Sequence, residues 1–358
     1  MICFLEKIFQ KSYYMLNYLK TVIILIVGLG SMGKRRIRCF KKLGFSKIIG
    51  LDPRTDRRKE VEKDYKIETV STISEALTKN PNCMIISTPP DLHYRYASIA
   101  IKNNIHFFTE VNIFSKDVAK IIKKLQRKTI VGVPSSTMLF HPIVEKLTKI
   151  MLEKKIGKVL TIDFHFGHFL PNWHPWEDYR KFYVSKKETG AAREIVPFEL
   201  IWITKIISKV SSVYGNMYKL SNLDNDIDDI YRVFIEFKNG VKGMFVIDVF
   251  SEPAINETKI IGENGIIRCD HNLGIIKIGR GEKWKEIKIK TEKMAKGYKG
   301  NTPSDSIYEK EMKNFLNAIQ KKLVPKFTFS DELEILKTLD AIEQSHKKSK
   351  KIIIPAKK

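Results

Sequence analysis

The residues near the start of the chain whose spacing suits chemistry are three glycines in the order Gly-x-Gly-x-x-Gly: Gly28, Gly30 and Gly33. An apolar run, TVIILIV, precedes them and a basic stretch of helical pattern follows. In dinucleotide-binding folds these glycines permit a tight turn, close approach of a diphosphate, and close packing of helix on strand. Ser31 and Met32 stand at the helix start, whose N–H groups would bind the diphosphate. The spacing predicts a dinucleotide site, and a glycine turn without a ligand is the alternative.

Asp52 ends the next apolar run, about 20 residues after the last glycine, which is the spacing of an acid that binds the ribose of a dinucleotide. A carboxylate there accepts hydrogen bonds from free ribose hydroxyls and repels a 2′-phosphate. Asp52 therefore favours NAD. Arg54, Arg57 and Arg58 follow closely and suit a 2′-phosphate, so NADP stays the alternative.

The elements that must position these residues alternate between strand and helix along residues 21–139, the expected Rossmann domain. Short buried strands separated by helical segments of about 10 to 15 residues indicate a doubly wound parallel sheet. Ligands of such sheets bind beyond the carboxyl ends of the strands. This rule places Thr88, Pro89, His93 and Glu110 beside the glycine turn as further candidate cofactor residues.

A helix is predicted at residues 140–154, and after it, from Val159, short segments of alternating polarity replace the buried runs. Asn239-Gly240 joins two of these segments and is the strongest short signal for a hairpin. Residues 140–346 are therefore expected to form an α+β domain with a mostly antiparallel open sheet, and residues 347–358 a strand with a basic tail. The fold class predicted for the whole chain is α/β.

Composition narrows the class of protein. A length of 358 residues with 43% hydrophobic content suits two globular domains. The net charge of +24 comes from lysines spread along nearly the whole chain, so we interpret it as a basic surface rather than a nucleic-acid site.

Location is predicted from the cysteines and the N-terminal segment. The four cysteines have no paired spacing: Cys3, Cys39, Cys83 and Cys269. This favours a reduced, cytoplasmic protein. Residues 1–20 are expected as an extension, and Met15 is an alternative start. Their apolar runs are shorter than a signal-peptide core or a membrane span, so no membrane association is predicted.

These features together resemble the Gfo/Idh/MocA oxidoreductases, the group of glucose-fructose oxidoreductase and inositol dehydrogenase. The resemblance runs from about residue 20 and is carried by GLGSMG at 28–33, STPPDLH at 87–93, FFTE at 107–110, IGKV at 156–159, and the pattern from YEKEMKNFLNAI to AIEQSHKKSKKIII. It implies a Rossmann domain with His93 near the cofactor, and a C-terminal domain whose open sheet forms a homo-oligomer interface. It also implies NAD(P)-dependent action on sugars, inositols, sugar phosphates or nucleotide sugars.

Two of the three side chains that catalyse reactions in that family are missing from this chain. The family's Glu-Lys-Pro reads Glu110-Val111-Asn112, so the lysine is absent. In the second signature Glu194 takes the position of an aspartate and Phe198 that of a histidine. Either other groups perform the chemistry or the chemistry differs.

Candidate replacements lie in a proline-bounded loop, LPNWHPWEDYR at 170–180. Trp173, Asp178 and Tyr179 suit recognition of a sugar, and Arg193 suits a substrate phosphate or carboxylate through its fork of donors. A family branch with a similar loop is associated with bacterial surface-sugar pathways, which is an implication of the resemblance. The alternative interpretation is that the tryptophans pack in the hydrophobic core and the charged side chains contact solvent.

Hydride transfer needs a base that takes the hydroxyl proton as the hydride leaves. Histidine titrates near neutral pH without tuning, so His174 is the first candidate. Glu199 and Glu194 are the alternatives, because partial burial raises the pKa of a carboxyl group.

No metal site is predicted. His165 and His168 lie three residues apart on an expected strand and so face opposite sides. The acidic cluster at residues 224–229 lacks the glycine and terminal glutamate of an EF-hand and is expected to be a solvated turn.

The function predicted from the sequence is an NAD(P)-dependent oxidoreductase that moves hydride to or from a sugar derivative. One alternative is a lyase or hydrolase that uses tightly held NAD for transient oxidation. The other is a non-catalytic nucleotide-binding regulatory or scaffold protein. The predicted partners are a small-molecule sugar and further copies of this chain.

Overall fold

The structure is a computed structural model that describes residues 21–290 and 304–355. Within them the chain divides into two compact units. The first unit is made of three segments: 21–110, 119–135 and 308–329. The second unit comprises the other described residues. The extension predicted at 1–20, Cys3, and the end of the basic tail lie outside the described residues.

The first unit contains a six-stranded sheet in the order β3-β2-β1-β4-β5-β6, and every neighbouring pair is parallel. Its strands are β1 (Ile24–Val27), β2 (Ile48–Leu51), β3 (Glu68–Val70), β4 (Cys83–Ile86), β5 (His106–Thr109) and β6 (Gly132–Pro134). All of β1 is buried, as its unbroken apolar run requires in the middle of a parallel sheet. The predicted doubly wound sheet is confirmed.

The helices within the described residues are α1 (Ser31–Lys42), α2 (Thr55–Tyr65), α3 (Ile73–Thr78), α4 (His93–Lys102), α5 (Ser115–Leu125), α6 (Pro142–Leu152), α7 (Ala191–Ile206), α8 (Asp305–Ile319) and α9 (Phe329–Lys348). The first five alternate with the strands of the parallel sheet. The division of the chain assigns residues 308–329 to the first unit and 111–118 to the second. The domain limits at residues 139 and 346 stay a prediction.

The second unit contains a nine-stranded sheet in the order β14-β13-β12-β11-β7-β10-β9-β8-β15. Its strands are β7 (Val159–Gly167), β8 (Val210–Tyr218), β9 (Ile230–Phe237), β10 (Lys242–Asp248), β11 (Ile255–Gly262), β12 (Gly265–Asp270), β13 (Ile275–Arg280), β14 (Lys283–Lys288) and β15 (Ile352–Ile353). The pair β7 and β10 is parallel and the other pairs are antiparallel, which confirms the mostly antiparallel sheet.

The two faces of this sheet differ. One face packs under α7, where the Trp202 ring meets the Phe164 ring with centroids 5.6 Å apart. On the other face lie Tyr214, Phe234 and Met244, which are 37, 61 and 37% exposed. This open face is therefore apolar in part.

Candidate functional site

Two glycines of the Gly-x-Gly-x-x-Gly turn are fixed by the fold itself. Gly28 has φ +89°, and a Cβ on it would lie 2.6 Å from the carbonyl oxygen of Ser87. A Cβ on Gly33 would lie 1.8 Å from the carbonyl oxygen of Gly28, where α1 presses on the turn. Side chains are excluded at both positions by backbone, as predicted for the turn and for helix packing.

Gly30 differs from the other two glycines. A Cβ there would meet only the guanidinium of Arg57, at 3.5 Å. Gly30 is also the N-cap of α1, which has no side-chain cap and no acid in its first turn, and Ser31 and Met32 form that turn. An uncapped helix start beside an open glycine fits a diphosphate, which supplies the missing acceptors. The residues present therefore fit the diphosphate of NAD.

Asp52 is 3% exposed and joins the carboxyl end of β2 to the glycine turn. Its Oδ2 accepts from the N–H of Leu29 at 2.8 Å, and its Oδ1 accepts from the N–H of Arg54 at 2.9 Å. Arg57 Nη1 lies 3.8 Å from Oδ2. The backbone thus orients this carboxylate beside the turn, as an acid that binds ribose requires.

The segment after β4 carries Thr88, Pro89 and His93. His93 is 1% exposed, and its Nε2–H donates to the carbonyl oxygen of Thr88 at 2.9 Å. Thr88 Oγ1 is buried with no hydrogen-bond partner among the described residues. His93 therefore holds the Thr88 turn in place. That these three residues contact the cofactor stays a prediction.

Glu110 is held by an ion pair inside the first unit. Arg36 donates to both of its carboxylate oxygens at 2.8 and 2.6 Å, and Ser87 Oγ donates at 3.1 Å. Arg36 also donates to Glu311 at 2.8 Å, and Ser135 Oγ donates to Glu311 at 3.0 Å. Burial disfavours the Arg36 cation, but the two carboxylates outweigh it and raise its pKa further. Glu110 thus has a structural role, and its contact with the cofactor stays a prediction.

In the second unit the loop after β7 is folded into short 3-10 turns. The His174 ring stacks on the rings of Trp176 and Phe182, with both centroid distances 5.3 Å. Its Nδ1 lies 3.9 Å from a carboxylate oxygen of Glu177. Aromatic stacking therefore restricts the orientation of the imidazole, whose side chain is 23% exposed and lies near a carboxylate.

The other loop candidates have local partners. The Trp173 indole N–H donates to the carbonyl oxygen of His168 at 3.3 Å. Asp178 caps the turn that follows it and binds Arg180, whose side chain lowers the Asp178 pKa to about 2. The Tyr179 hydroxyl accepts from the N–H of Asp224 at 3.0 Å. These contacts give the loop a defined shape, and sugar binding by it stays a prediction.

The two acids of α7 lie in different surroundings. Glu194, in the first turn, accepts from the Tyr183 hydroxyl at 3.1 Å. Glu199 is 1% exposed and accepts from the Trp202 indole N–H at 2.5 Å. Burial raises the pKa of Glu199 to about 7. Glu199 therefore belongs to the interior of the unit, whereas Glu194 is half-buried.

Arg193 uses most of its donor fork within the second unit. Nε donates to Glu343 at 2.6 Å, and Nη1 donates to the carbonyl oxygens of Ile113 and Glu188 at 3.1 and 3.0 Å. The guanidinium also lies over the Phe114 ring at 5.3 Å. Binding of a substrate anion by the remaining nitrogen, Nη2, stays a prediction.

Val111 and Asn112, which replace the lysine and proline of the Glu-Lys-Pro motif, are both buried. Val111 is 7% exposed. Asn112 donates through its backbone N–H and its Nδ2 to the two carboxylate oxygens of Glu332, at 3.0 and 2.9 Å. Burial raises the Glu332 pKa to about 8. No proton-transferring side chain stands at Val111.

Tyr183 and Phe182, which contact Glu194 and His174, were not predicted, because no local pattern links them to those residues. Trp176 lies in the predicted aromatic loop, but its stacking on His174 was not predicted. The prediction of a solvated turn at Asp229 was wrong. Asp229 is fully buried and accepts from the N–H groups of Leu220 and Ser221 at 2.8 and 2.9 Å.

No helix in the described part of the chain is long and apolar enough to cross a membrane. The same residues contain no group of three or more His, Cys, Asp or Glu side chains placed to hold a metal ion.

Two family models match the chain. Residues 22–132 match the oxidoreductase family with an NAD-binding Rossmann fold, and residues 144–268 match the GFO/IDH/MocA C-terminal domain. A search of curated proteins found no match.

Similar solved structures share the fold over nearly the whole chain. Levoglucosan dehydrogenase in complex with NADH and levoglucosan is 16% identical, with a TM-score of 0.79 over 94% of this chain and 100% of that one. The WlbA dehydrogenase from Bordetella pertussis in complex with NADH and UDP-GlcNAcA is 17% identical, with a TM-score of 0.77 over 94% and 100%. An oxidoreductase from Agrobacterium radiobacter in complex with NAD+, L-tartaric acid and magnesium is 12% identical, with a TM-score of 0.81 over 93% and 98%.

Proposed function

The chain belongs to the Gfo/Idh/MocA oxidoreductase family, and we propose that it moves hydride between NAD and a hydroxyl-bearing carbon of a sugar derivative. The observation that carries the cofactor part is the glycine turn, with room at Gly30 and Asp52 tethered beside it. We propose a sugar phosphate or nucleotide sugar as the substrate. The aromatic loop after β7 supports this, since flat apolar faces and local charges suit sugar rings.

Bound NAD supplies the hydride acceptor, and the chain's side chains supply the base. We assign His174 to take the hydroxyl proton at a ring nitrogen while the hydride leaves the carbon that bears that hydroxyl. Its stacking on Trp176 and Phe182 restricts the plane of the ring. Glu194 is the alternative base, oriented by the Tyr183 hydroxyl. Glu199 ranks third because it is 1% exposed.

The test is incubation with NAD+ or NADP+ and a panel of sugar phosphates and nucleotide sugars, followed by the near-ultraviolet absorbance of reduced nicotinamide. We expect turnover with at least one member of the panel. Bound NAD with no absorbance change across the panel would contradict the substrate class.

The base is tested on the substrate that the panel identifies. His174→Ala should lower kcat by about 100-fold or more. His346→Ala is the matched control, because it removes an imidazole from the last turn of α9 in the same unit. A rate near that of the wild type for His174→Ala would remove His174 and leave Glu194.

A second candidate is a lyase or hydrolase that keeps NAD bound through transient oxidation. Val111 at the lysine position and Phe198 at the histidine position favour it, because the usual proton-transfer groups are replaced by apolar ones. NAD that copurifies, does not exchange, and shows no net reduction during turnover would support this candidate.

We also propose that the chain forms a homo-oligomer through the open face of the nine-stranded sheet. Phe234, 61% exposed on that face, supports this. Phe234→Glu should reduce the sedimentation coefficient to that of a monomer; an unchanged oligomer would contradict the assignment of this face. A reducing cytoplasmic location is part of the proposal, supported by three buried cysteines of the described residues that form no disulfide: Cys39, Cys83 and Cys269.

A further inference from the structure

A cavity of about 430 Å³ opens at the amino ends of the parallel strands, on the edge of the sheet opposite the glycine turn. The turns before β4 and β5 line most of it and carry four asparagines and a histidine: Asn80, Asn82, Asn103, Asn104 and His106. None of the described residues that line the cavity is acidic. The proposed dinucleotide site lies beyond the carboxyl ends of the same strands, so this cavity is separate from it.

Two of the amides are oriented by their own contacts so that an NH2 group is left over. Asn82 Oδ1 accepts from the backbone N–H of Ile23 at 2.8 Å. Asn104 Oδ1 accepts from Lys128 Nζ at 2.8 Å. Because each oxygen meets a donor, the two Nδ2 groups are the free ends of these amides, and neither has a hydrogen-bond partner among the described residues.

The imidazole of His106 supplies a third donor. Its Nδ1 accepts from the backbone N–H of Val131 at 2.9 Å, so the neutral ring carries its proton on Nε2. Burial lowers the pKa of His106, which favours the neutral ring. Within the part of the chain that the structure describes, Nε2–H has no partner.

Carbonyl groups in the last turns of α3 and α4 accept from the turns that follow. The carbonyl oxygen of Leu77 accepts from the N–H of Asn80 at 3.1 Å, and that of Ile101 accepts from the N–H of Asn104 at 3.3 Å. These helix ends are therefore capped by backbone rather than left for a cation. The excess groups at the cavity are donors, and Lys128 adds a positive charge beside Asn104.

Asn103 presents the opposite kind of group. Its Nδ2 donates to the carbonyl oxygen of Ile99 at 2.8 Å, so its Oδ1 remains as an acceptor. Leu77, Ile105 and Ile319 add apolar surface to the cavity. Donors for an anion, an acceptor for a hydroxyl and an apolar wall suit a phosphorylated sugar, and the volume lies in the range of small-molecule sites.

The backbone at two of the asparagines is left-handed. Asn80 and Asn104 have φ 51° and 55°. The other non-glycine residues with such φ values in the described ranges do not line the cavity, and they are three lysines and a serine: Lys66, Lys154, Lys321 and Ser349. Asparagine is often found at such positions for backbone reasons alone. Its use only beside the cavity favours a role in binding, and glycine can replace it there without backbone strain.

We infer that this cavity binds a small phosphate ester of the sugar phosphate class. The phosphate offers three oxygens that accept from Asn82 Nδ2, Asn104 Nδ2 and His106 Nε2–H, whereas a carboxylate offers only two. The inference does not depend on the proposed hydride transfer, because it concerns the opposite edge of the sheet.

The test measures the Kd of glucose 6-phosphate, inorganic phosphate and glucose by calorimetry. NADH is present throughout, since it fills the proposed dinucleotide site and cannot accept a hydride. We expect glucose 6-phosphate to bind more tightly than inorganic phosphate, and glucose not to bind. Asn104→Gly should weaken the binding of glucose 6-phosphate by about 10-fold, because it removes one donor to a charged group. Ser349→Gly is the matched control, since Ser349 has φ 47° and lies in the second unit, and its Kd should be unchanged.

His106→Asn is a second, independent variant. The oxygen of asparagine accepts from the N–H of Val131 in place of Nδ1, but the Nε2–H donor is lost, so binding should again weaken by about 10-fold. Thermal melting checks that each variant folds, and if one does not, the other decides. No binding of glucose 6-phosphate, or a Kd that the folded variants leave unchanged, would overturn the inference. Equal affinity for inorganic phosphate and glucose 6-phosphate would overturn the assignment to a sugar phosphate.

Discussion

Gly28, Asp52 and Thr88 in the first unit stand just beyond the carboxyl ends of three adjacent parallel strands, so the sheet itself brings them together. In the second unit His174 and Glu194 stand on a loop and a helix, and the contacts that orient them come from side chains such as Trp176, Phe182 and Tyr183. The positions at the ends of parallel strands recur in every protein with this type of sheet, whereas side-chain contacts depend on the particular sequence. The candidate cofactor residues therefore follow from spacing, whereas the contacts of the candidate substrate residues do not.

The largest effects should come from the glycine turn, where one glycine is needed for folding and another for binding of the cofactor. Gly33→Ala places a Cβ 1.8 Å from the carbonyl oxygen of Gly28, and relief requires a backbone shift. We expect a loss of about 5 kcal/mol or more in the free energy of unfolding, or no folded protein. Gly30→Ala meets only the Arg57 side chain, so folding should be kept. Its NAD+ affinity should fall by at least about 10-fold, because the methyl group occupies the diphosphate approach.

Urea denaturation and NAD+ calorimetry of both variants provide the measurement. Equal stability of the two variants would contradict the assignment of Gly33 to helix packing. Unchanged NAD+ affinity of Gly30→Ala would show that the turn does not hold the diphosphate.

Much of the fold could be predicted because local patterns determine it. The apolar run of β1 and the hairpin at Asn239-Gly240, where Gly240 has φ +86°, are confirmed. Strand β8 (Val210–Tyr218) was not predicted, and the parallel pairing of β7 with β10 depends on segments about 80 residues apart, whose meeting no local pattern records. The fold class and the glycine turn could both be predicted because local sequence patterns determine them.

The candidate site was predictable only where one residue's type fixes its role. Asp52 could be assigned from its spacing to the glycines. The ion pair of Glu110 with Arg36 joins residues 74 positions apart, and the burial of Glu199 depends on how α7 lies on the sheet. Distance along the chain and packing, rather than residue type, determine what these acids do.

The next largest effect on stability should come from substitution of Arg36. This substitution tests whether the stability of the first unit depends on a network of side chains as well as on its backbone geometry. Arg36→Met leaves Glu110 and Glu311 buried without their cation, so the free energy of unfolding should fall by about 3–5 kcal/mol. Urea denaturation measures it. Arg38→Met is the control on the same helix, since Arg38 is half-buried and donates to the Tyr65 hydroxyl at 3.2 Å.

Adding Glu110→Gln and Glu311→Gln to Arg36→Met should restore part of that stability, because neutral amides cost less to bury than unpaired carboxylates. A loss equal to that of Arg38→Met would show that the network contributes little. The first unit would then depend on its backbone geometry alone, which would make the contrast between the units sharper.

The smallest effect on stability concerns Glu199, the candidate base that is buried in the second unit. Its folded pKa of about 7 lies above the usual glutamate value of 4.5, so the native state keeps a proton that the unfolded state releases. Stability from this group is therefore present below about pH 4.5 and is lost as the pH rises through about 7, by up to about 3 kcal/mol. Glu199→Gln removes this loss, and the difference in unfolding free energy between wild type and variant should change with pH across that window.

Taking the difference between the two proteins cancels the other groups that titrate in the same range. Glu332, with a pKa raised to about 8, loses stability in the same direction, and His271, with a pKa lowered by burial to about 3, acts in the opposite direction below its usual pKa. Glu194→Gln is the control, because Glu194 is half-buried in the first turn of α7. A difference that does not vary with pH would mean that Glu199 is ionised in the folded protein, and so reaches solvent or a cation. Glu199 would then return as a candidate base, and the second unit would hold a titrating acid that side-chain packing leaves accessible.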